Sequence, residues 1–226
     1  AKRTFLFGSE LKSLRQHPAW QGEIERDAIA NLLRYNYIPA PQTIHPGIFK
    51  LRPGYLLQLK KNDNGKWSER EECWWSLQEV TQKAIENPFD GSRIDAVDHL
   101  DKLMHDAIKG QNIADVPLGV FLSGGVDSSS VAAVMQAISN HPIKSFTIGF
   151  ENSDYDESSD ARSVANYLGT NHQEWIVTAD DALSLIPQLP KYYDEPFADV
   201  SQIPTLLVSS LAKQKVTVAL SGDGGD

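Results

Sequence analysis

The chain has 226 residues, 41% of them hydrophobic and 23% charged, with a formal net charge of −9. This length holds one or two domains and a sizeable core. No apolar run nears the ~18 residues of a membrane span, and an acidic chain without a Lys/Arg cluster is unsuited to a nucleic-acid backbone. The single cysteine, Cys73, excludes an internal disulfide. Beside Trp74 and Trp75 in a strand-like stretch, it reads as a buried structural thiol rather than a nucleophile. No Cys/His cluster offers a zinc site, and a cytoplasmic globular protein is expected.

Residues 4–7 read as a short strand, residues 10–15 as a helical segment and residues 25–34 as an amphipathic helix. After the proline-punctuated Tyr37-Ile-Pro-Ala-Pro41, two strands flank Asn62-Asp-Asn-Gly65, a strong hairpin-turn signal. Residues 81–92, polar and containing Asn87-Pro88 and Asp90-Gly91, read as an irregular linker. The expected division is therefore 1–78, a linker over 79–92, and 93–226. Beyond the linker, helices are expected over residues 93–110, 126–138, 158–168 (with Gly169 as C-cap), 180–186 and 202–213. Strands are expected over 118–122, 144–150, 174–177 and 216–220. Alternating β and α elements predict a parallel sheet covered on both faces, with ligands at the carboxyl ends of its strands.

Two glycine-rich strings fall at that edge. The first, Ser123-Gly-Gly-Val-Asp-Ser-Ser129, breaks an apolar strand and opens a helix. Helix N–H groups and the positive dipole end favour an anion there, and glycine admits phosphate oxygens close to the backbone. Asp127 beside bound phosphates is understood as a holder of Mg²⁺. No Gly-Lys-Ser/Thr follows, so this is not a Walker A loop; the string resembles the pyrophosphate loop of the ATP pyrophosphatase families, which cleave ATP between its α- and β-phosphates. The second string, Ser221-Gly-Asp-Gly-Gly-Asp226, repeats the design, and Asp226 pairs with Asp127 as the expected metal ligand set.

With Phe146-Thr-Ile-Gly-Phe150, Tyr155-Asp-Glu-Ser158 and Asp194-Glu-Pro-Phe-Ala-Asp199 in order between these strings, residues 93–226 resemble the first part of the synthetase domain of glutamine-dependent asparagine synthetases. Phe7-Gly-Ser-Glu-Leu-Lys12 and Tyr37-Ile-Pro-Ala-Pro-Gln-Thr43 are similar to the end of that family's N-terminal-nucleophile-type α+β glutaminase domain. The resemblance implies that ATP activates the side-chain carboxylate of aspartate as an acyl-adenylate, and that ammonia drawn from glutamine then displaces AMP. It implies that Phe121, Leu122 and Ile148 flank the adenine and ribose, and that Ser123, Gly124, Gly125, Val126, Asp127 and Ser128 hold the pyrophosphate. Ser221 and Gly222 would contact the nucleotide, while Asp223, where relatives often have glutamate, would lie near the acyl-adenylate. The implied partners are ATP, Mg²⁺, aspartate and ammonia, with neither nucleic acid nor membrane and with a homodimer left open.

Several conspicuous residues have plainer readings. His172 and Trp175 read as packing residues. Asp156 and Ser158 cap a helix as readily as they touch substrate. Asp194, Glu195 and Asp199 read as a solvated acidic loop, with substrate positioning as the alternative. The family's glutaminase uses an N-terminal cysteine, whereas this chain starts with Ala1, so glutamine hydrolysis by these residues alone is not expected. The start on a strand-like segment and the stop after Asp226 suggest a piece of a larger protein, inactive by itself. Two other functions remain open: an adenylating amidotransferase acting on another carboxylate, and a non-catalytic nucleotide-binding domain.

Overall fold

The computed structural model describes residues 4–151 and 156–224. It divides into two compact units. One comprises residues 1–89 together with 187–199, the other residues 90–186 together with 200–226.

In the first unit, α1 (Leu11–Leu14) and α2 (Arg26–Tyr35) surround a small core of Ala28, Ile38 and Ile44, with Leu11 and Leu32 packed against it. Glu25 caps α2 by accepting from the Asp27 amide at 3.4 Å. The antiparallel hairpin β1 (Tyr55–Lys61) and β2 (Trp67–Cys73) turns where the Asn-Gly signal lies. Asn62 closes that turn, its Oδ1 accepting from the Lys66 amide at 2.7 Å. The unit also holds α3 (Leu77–Glu86) and the short α8 (Leu189–Tyr192).

Three expectations are corrected here. Residues 4–7 form no strand; the described strands of this unit, β1 and β2, pair only with each other. Residues 81–86 are helical: Ser76 caps α3 by accepting from the Glu79 amide, and Leu77, Val80, Ala84 and Ile85 recur at helical spacing before Asn87-Pro88 ends it. Cys73 is exposed rather than buried, since no described layer covers β2, every residue of which is exposed.

The second unit is a four-stranded, all-parallel sheet of β3 (Leu118–Phe121), β4 (Lys144–Phe150), β5 (Asn171–Val177) and β6 (Val218–Leu220), in the order β5-β4-β3-β6. Its helices are α4 (Arg93–Gln111), α5 (Val126–Ala137), α6 (Ser158–Leu168), α7 (Ala179–Leu185) and α9 (Gln202–Lys213). Their ends are set locally. Ser92–Asp95 and Thr178–Asp181 form capping boxes on α4 and α7, and Gly169 ends α6 at φ 71°.

Strand periodicity sorts the core. Val120 and Leu122 point into a cluster with Ile108, Ala132, Met135, Ala161 and Ala165, from α4, α5 and α6. Phe121 turns to the opposite face, where Phe146 packs with Val208, Leu211, Ala212 and Val216 in and after α9. Both faces are thus covered, as a parallel sheet requires. This is the expected α/β fold, and the carboxyl ends of the neighbouring strands β3 and β6 open onto the two glycine-rich strings.

Candidate functional site

Ser123, Gly124 and Gly125 link β3 to α5. Gly125 occupies the N-cap position with no side-chain cap, so the first-turn amides face outward without a cap acceptor. The loop is braced from beneath. Ser128, 8% exposed, places its Oγ 2.8 Å from Ser123 Oγ, accepts from the Ser123 amide at 3.2 Å and donates to the Gly125 carbonyl at 3.3 Å. The Gly125 amide in turn donates to Ser123 Oγ at 3.3 Å.

Gly124 has φ +84°, and a Cβ there would stand 2.7 Å from Asp160 Cβ and 2.8 Å from the Ala161 amide nitrogen. Only glycine lets the first turn of α6 approach the loop this closely. Asp156 holds that turn in place: its carboxylate accepts from the Phe150 amide at 3.2 Å, the Ser158 amide at 3.1 Å and the Ser158 hydroxyl at 3.0 Å. The Ser158 hydrogen bonds, hydroxyl first, hold the Asp156 carboxyl below its ordinary range. Of its two readings, the capping role is the one these contacts support.

The second string lies against the first. A Cβ on Gly222 would meet the Ser128 amide nitrogen at 2.7 Å, the Asp127 carbonyl carbon at 3.0 Å and Asp127 Cβ at 3.1 Å. The turn after β6 therefore rests on the opening turn of α5. Ser221 Oγ donates to Asp223 Oδ2 at 3.1 Å and accepts from the Asp223 amide at 3.4 Å, which fixes that carboxylate beside the turn.

The remaining expected site residues are placed as follows. Asp127 and Val126 are exposed, Val126 by 80%. Phe121 and Ile148 are half-buried at the ends of β3 and β4. Leu122 is turned into the core, its amide donating to the Phe146 carbonyl at 3.0 Å and its carbonyl accepting from Thr147 Oγ1. Asp226 lies outside the described residues, as does Tyr155. Among the described residues no three His, Cys, Asp or Glu side chains gather as a metal cage. A lone exposed carboxylate beside uncapped amides suits a Mg²⁺ ion that arrives with phosphates, since Mg²⁺ needs only one or two carboxylates besides them.

His172 stands at the amino end of the sheet, not at this site. Its Nδ1 is 2.9 Å from Ser145 Oγ, which also lies 2.7 Å from Thr170 Oγ1, and burial pushes the imidazole below its ordinary value of 6.5. Asp194 and Glu195 belong to the first unit, where they are ion-paired with Lys12 and Lys50 rather than solvated. The sequence reading missed the backing of Gly124 by Asp160 and Ala161, because it depends on α6 crossing back over the loop, and no local pattern encodes that crossing.

The family model for asparagine synthase matches residues 99–226, and that for the glutamine amidotransferase domain matches residues 1–75. A Methanocaldococcus jannaschii protein provisionally named asparagine synthetase (glutamine-hydrolyzing) 2 is 36% identical over 98% of this chain and 42% of its own length. Asparagine synthetase (glutamine-hydrolyzing) 1 of Bacillus subtilis is 29% identical over 97% of this chain and 33% of its own length. The chain thus spans less than half the length of these relatives. A solved structure of the NH3-dependent NAD synthetase from Campylobacter jejuni is 18% identical over 54% of both chains, with a TM-score of 0.38, a likeness too low to carry a functional argument.

Proposed function

Starting from the fact that the chain belongs to the asparagine synthase family, we propose that residues 93–226 form the nucleotide half of an ATP-dependent, amide-forming ligase and that residues 1–78 belong to its glutamine-hydrolysing part, with 79–92 joining them. The reaction is that of the whole protein. Aspartate attacks the α-phosphorus of ATP through its side-chain carboxylate, giving β-aspartyl-adenylate and pyrophosphate. Ammonia from glutamine then attacks the acyl carbon, forming the amide, releasing AMP and losing a proton. The observation that carries this reading is the contact of Gly222 with the Asp127–Ser128 backbone, which joins both glycine-rich turns at one helix N-terminus.

Each residue has a role in this reading. The first-turn amides of α5 bind the leaving pyrophosphate and stabilise the charge that develops on it. Ser128 keeps the loop in shape through Ser123 and Gly125, while Ser123, Gly124, Gly125 and Val126 line the phosphates. Asp127, joined by Asp226, would hold Mg²⁺, which when bound neutralises phosphate charge. Phe121, Ile148 and the backbone of Leu122 border the adenine and ribose. Ser221 and Gly222 contact the nucleotide, and Asp223 lies near the acyl-adenylate. No described helix is long and apolar enough to cross a membrane, and we place the reaction in the cytoplasm.

Pyrophosphate release by the protein at the full length of its relatives, measured with ATP and a panel of carboxylic acids, tests the reading. Aspartate dependence is the expected result. Dependence on another acid would reassign the substrate, and no release with any acid would leave only a nucleotide-binding domain.

A further inference from the structure

On one face of the parallel sheet, β4 and β5 carry a file of polar residues, whereas the opposite face of β4 carries Phe146. Ser145 and Thr147, both buried, stand across from His172 and Glu174 in the β4–β5 register. At the amino end the file closes on itself through the Thr170, Ser145 and His172 contacts. At the carboxyl end it reaches the phosphate-binding turn. There Thr147 donates its hydroxyl to the carbonyl of Leu122, the residue immediately before Ser123-Gly-Gly125. In the neighbouring strand, Glu174, its side chain 15% exposed, takes both prongs of Arg162: Oε2 accepts from Nε at 2.9 Å and Oε1 from Nη2 at 2.6 Å. Arg162 follows directly on Asp160 and Ala161, the residues of α6 that back Gly124. Gly149 admits the same helical turn on its other side, since a Cβ there would stand 2.8 Å from Ser158 Cβ.

Valine would fill the space of Thr147 equally well, so what the buried hydroxyl adds is a fixed place for one carbonyl. A two-pronged arginine–carboxylate pair likewise fixes direction as well as distance. We propose that Thr147, Glu174 and Arg162 are positioning residues of the phosphate-binding turn. Thr147 holds the entry of the turn through the Leu122 carbonyl, and the Arg162–Glu174 pair holds the first turn of α6 against Gly124. The turn then meets phosphates with its amides already aligned, and ordering it takes nothing from the binding energy. The inference rests on the functional reading above and concerns the parallel-sheet unit alone.

Equilibrium titration with ATP and Mg²⁺, alongside pyrophosphate release with aspartate, tests the proposal in the protein at the full length of its relatives. Thr147→Val keeps the shape and removes the donor; it should weaken ATP binding about tenfold, the scale of one lost buried hydrogen bond. The KM for ATP should rise in parallel, with kcat at saturating ATP within about threefold. Thr147→Ser, which keeps the hydroxyl, should bind ATP within about twofold of the unmodified protein. Arg162→Met and Glu174→Gln should each weaken ATP binding, and the double variant should lose no more than the larger single loss. Arg162 is exposed, so this pair decides alone should Thr147→Val not fold. Ser145→Ala, at the far end of the same file, should lower the melting temperature and leave ATP affinity unchanged. Unchanged affinity in Thr147→Val and Glu174→Gln, or an equal loss in Ser145→Ala, would overturn the positioning role. An unmodified protein that neither binds ATP nor releases pyrophosphate would overturn the functional reading instead, a failure visible before any variant is compared.

Discussion

Gly222 and Ser128, far apart in the chain, approach so closely that a single added carbon on Gly222 would stand 2.7 Å from the Ser128 amide nitrogen. The opposing atoms are backbone at the start of α5 and cannot swing aside. Gly222→Ala should therefore push the turn after β6 away from the helix, at a stability cost of about 1–3 kcal/mol, with a disproportionate loss of nucleotide affinity. Gly110→Ala is the control: no atom lies within 4 Å of its Cβ position, and alanine there should stabilise α4 by about 0.5–1 kcal/mol. Denaturant unfolding with ATP titration of both variants checks the contrast; equal nucleotide affinity in the two would separate the turn from the site.

Asp127→Asn should leave the fold intact, because the side chain is exposed and the loop is braced by Ser128 instead. Removal of one electrostatic contribution to a phosphate transition state commonly costs on the order of 3 kcal/mol, about a hundredfold in rate. Pyrophosphate release in the protein at the full length of its relatives is the measurement, and an Asn variant with undiminished turnover would remove Asp127 from the chemistry.

His172 should make the parallel-sheet unit acid-sensitive before its carboxylates do. Burial, opposed by Glu174 and reinforced by Arg162, lowers its folded-state value below 6.5, while the unfolded chain keeps the ordinary one. Below about pH 6.5 the unfolded state then binds the extra proton and the folded state does not, so stability falls as pH drops through that window. The lowered carboxyls of Asp156, Glu174 and Asp181 contribute stability that is lost only at lower pH, as they protonate. His172→Gln should flatten the dependence of the melting temperature between about pH 7 and pH 5; an unchanged slope would contradict the assignment.

Cys73 lies exposed at the end of β2, its thiol donating to the Trp75 carbonyl at 3.3 Å. A maleimide should label it in the folded protein at a rate close to that in denaturant. Cys73→Ser should retain ammonia-supported synthesis, since the thiol lies outside the proposed site. Loss of that reaction in a folded variant would assign the thiol a role that its position does not suggest.

What was legible in the sequence was local. Strand β4, helix α6 with its Gly169 cap and helix α9 have bounds that the sequence pattern gives, because β4 is a short, mostly buried run and each helix turns its apolar residues inward. The Asn-Gly signal located the hairpin in the same way. Helix α3 was obscured by its polar composition, although Ser76 offered the cap. Cys73 was misjudged because the exposure of a strand depends on whether another layer covers it. The dock of Asp194 and Glu195 was illegible for a stronger reason. Its lysines lie in distant segments, and no window of neighbouring residues holds both charges. That both glycine-rich strings lie at the carboxyl edge of the sheet was inferable from the motifs and the alternation of elements, whereas the role of Ser128 as a brace emerged only from its hydrogen bonds.

The placement of residues 187–199 also bears on how the polypeptide acquires its shape during synthesis. Lys12 and Asp194 are 182 positions apart, and Ile44 and Glu195 are 151 apart. The first unit to leave the ribosome must therefore wait without the Asp194 and Glu195 carboxylates until the strands and helices of the second have largely emerged. Contacts of such long range form late and close a large loop. Cleavage between the units would thus not liberate a self-sufficient N-terminal piece; it would strand that piece without the segment that completes it, leaving the amides of Lys12 and Ile44 without their carboxylate acceptors.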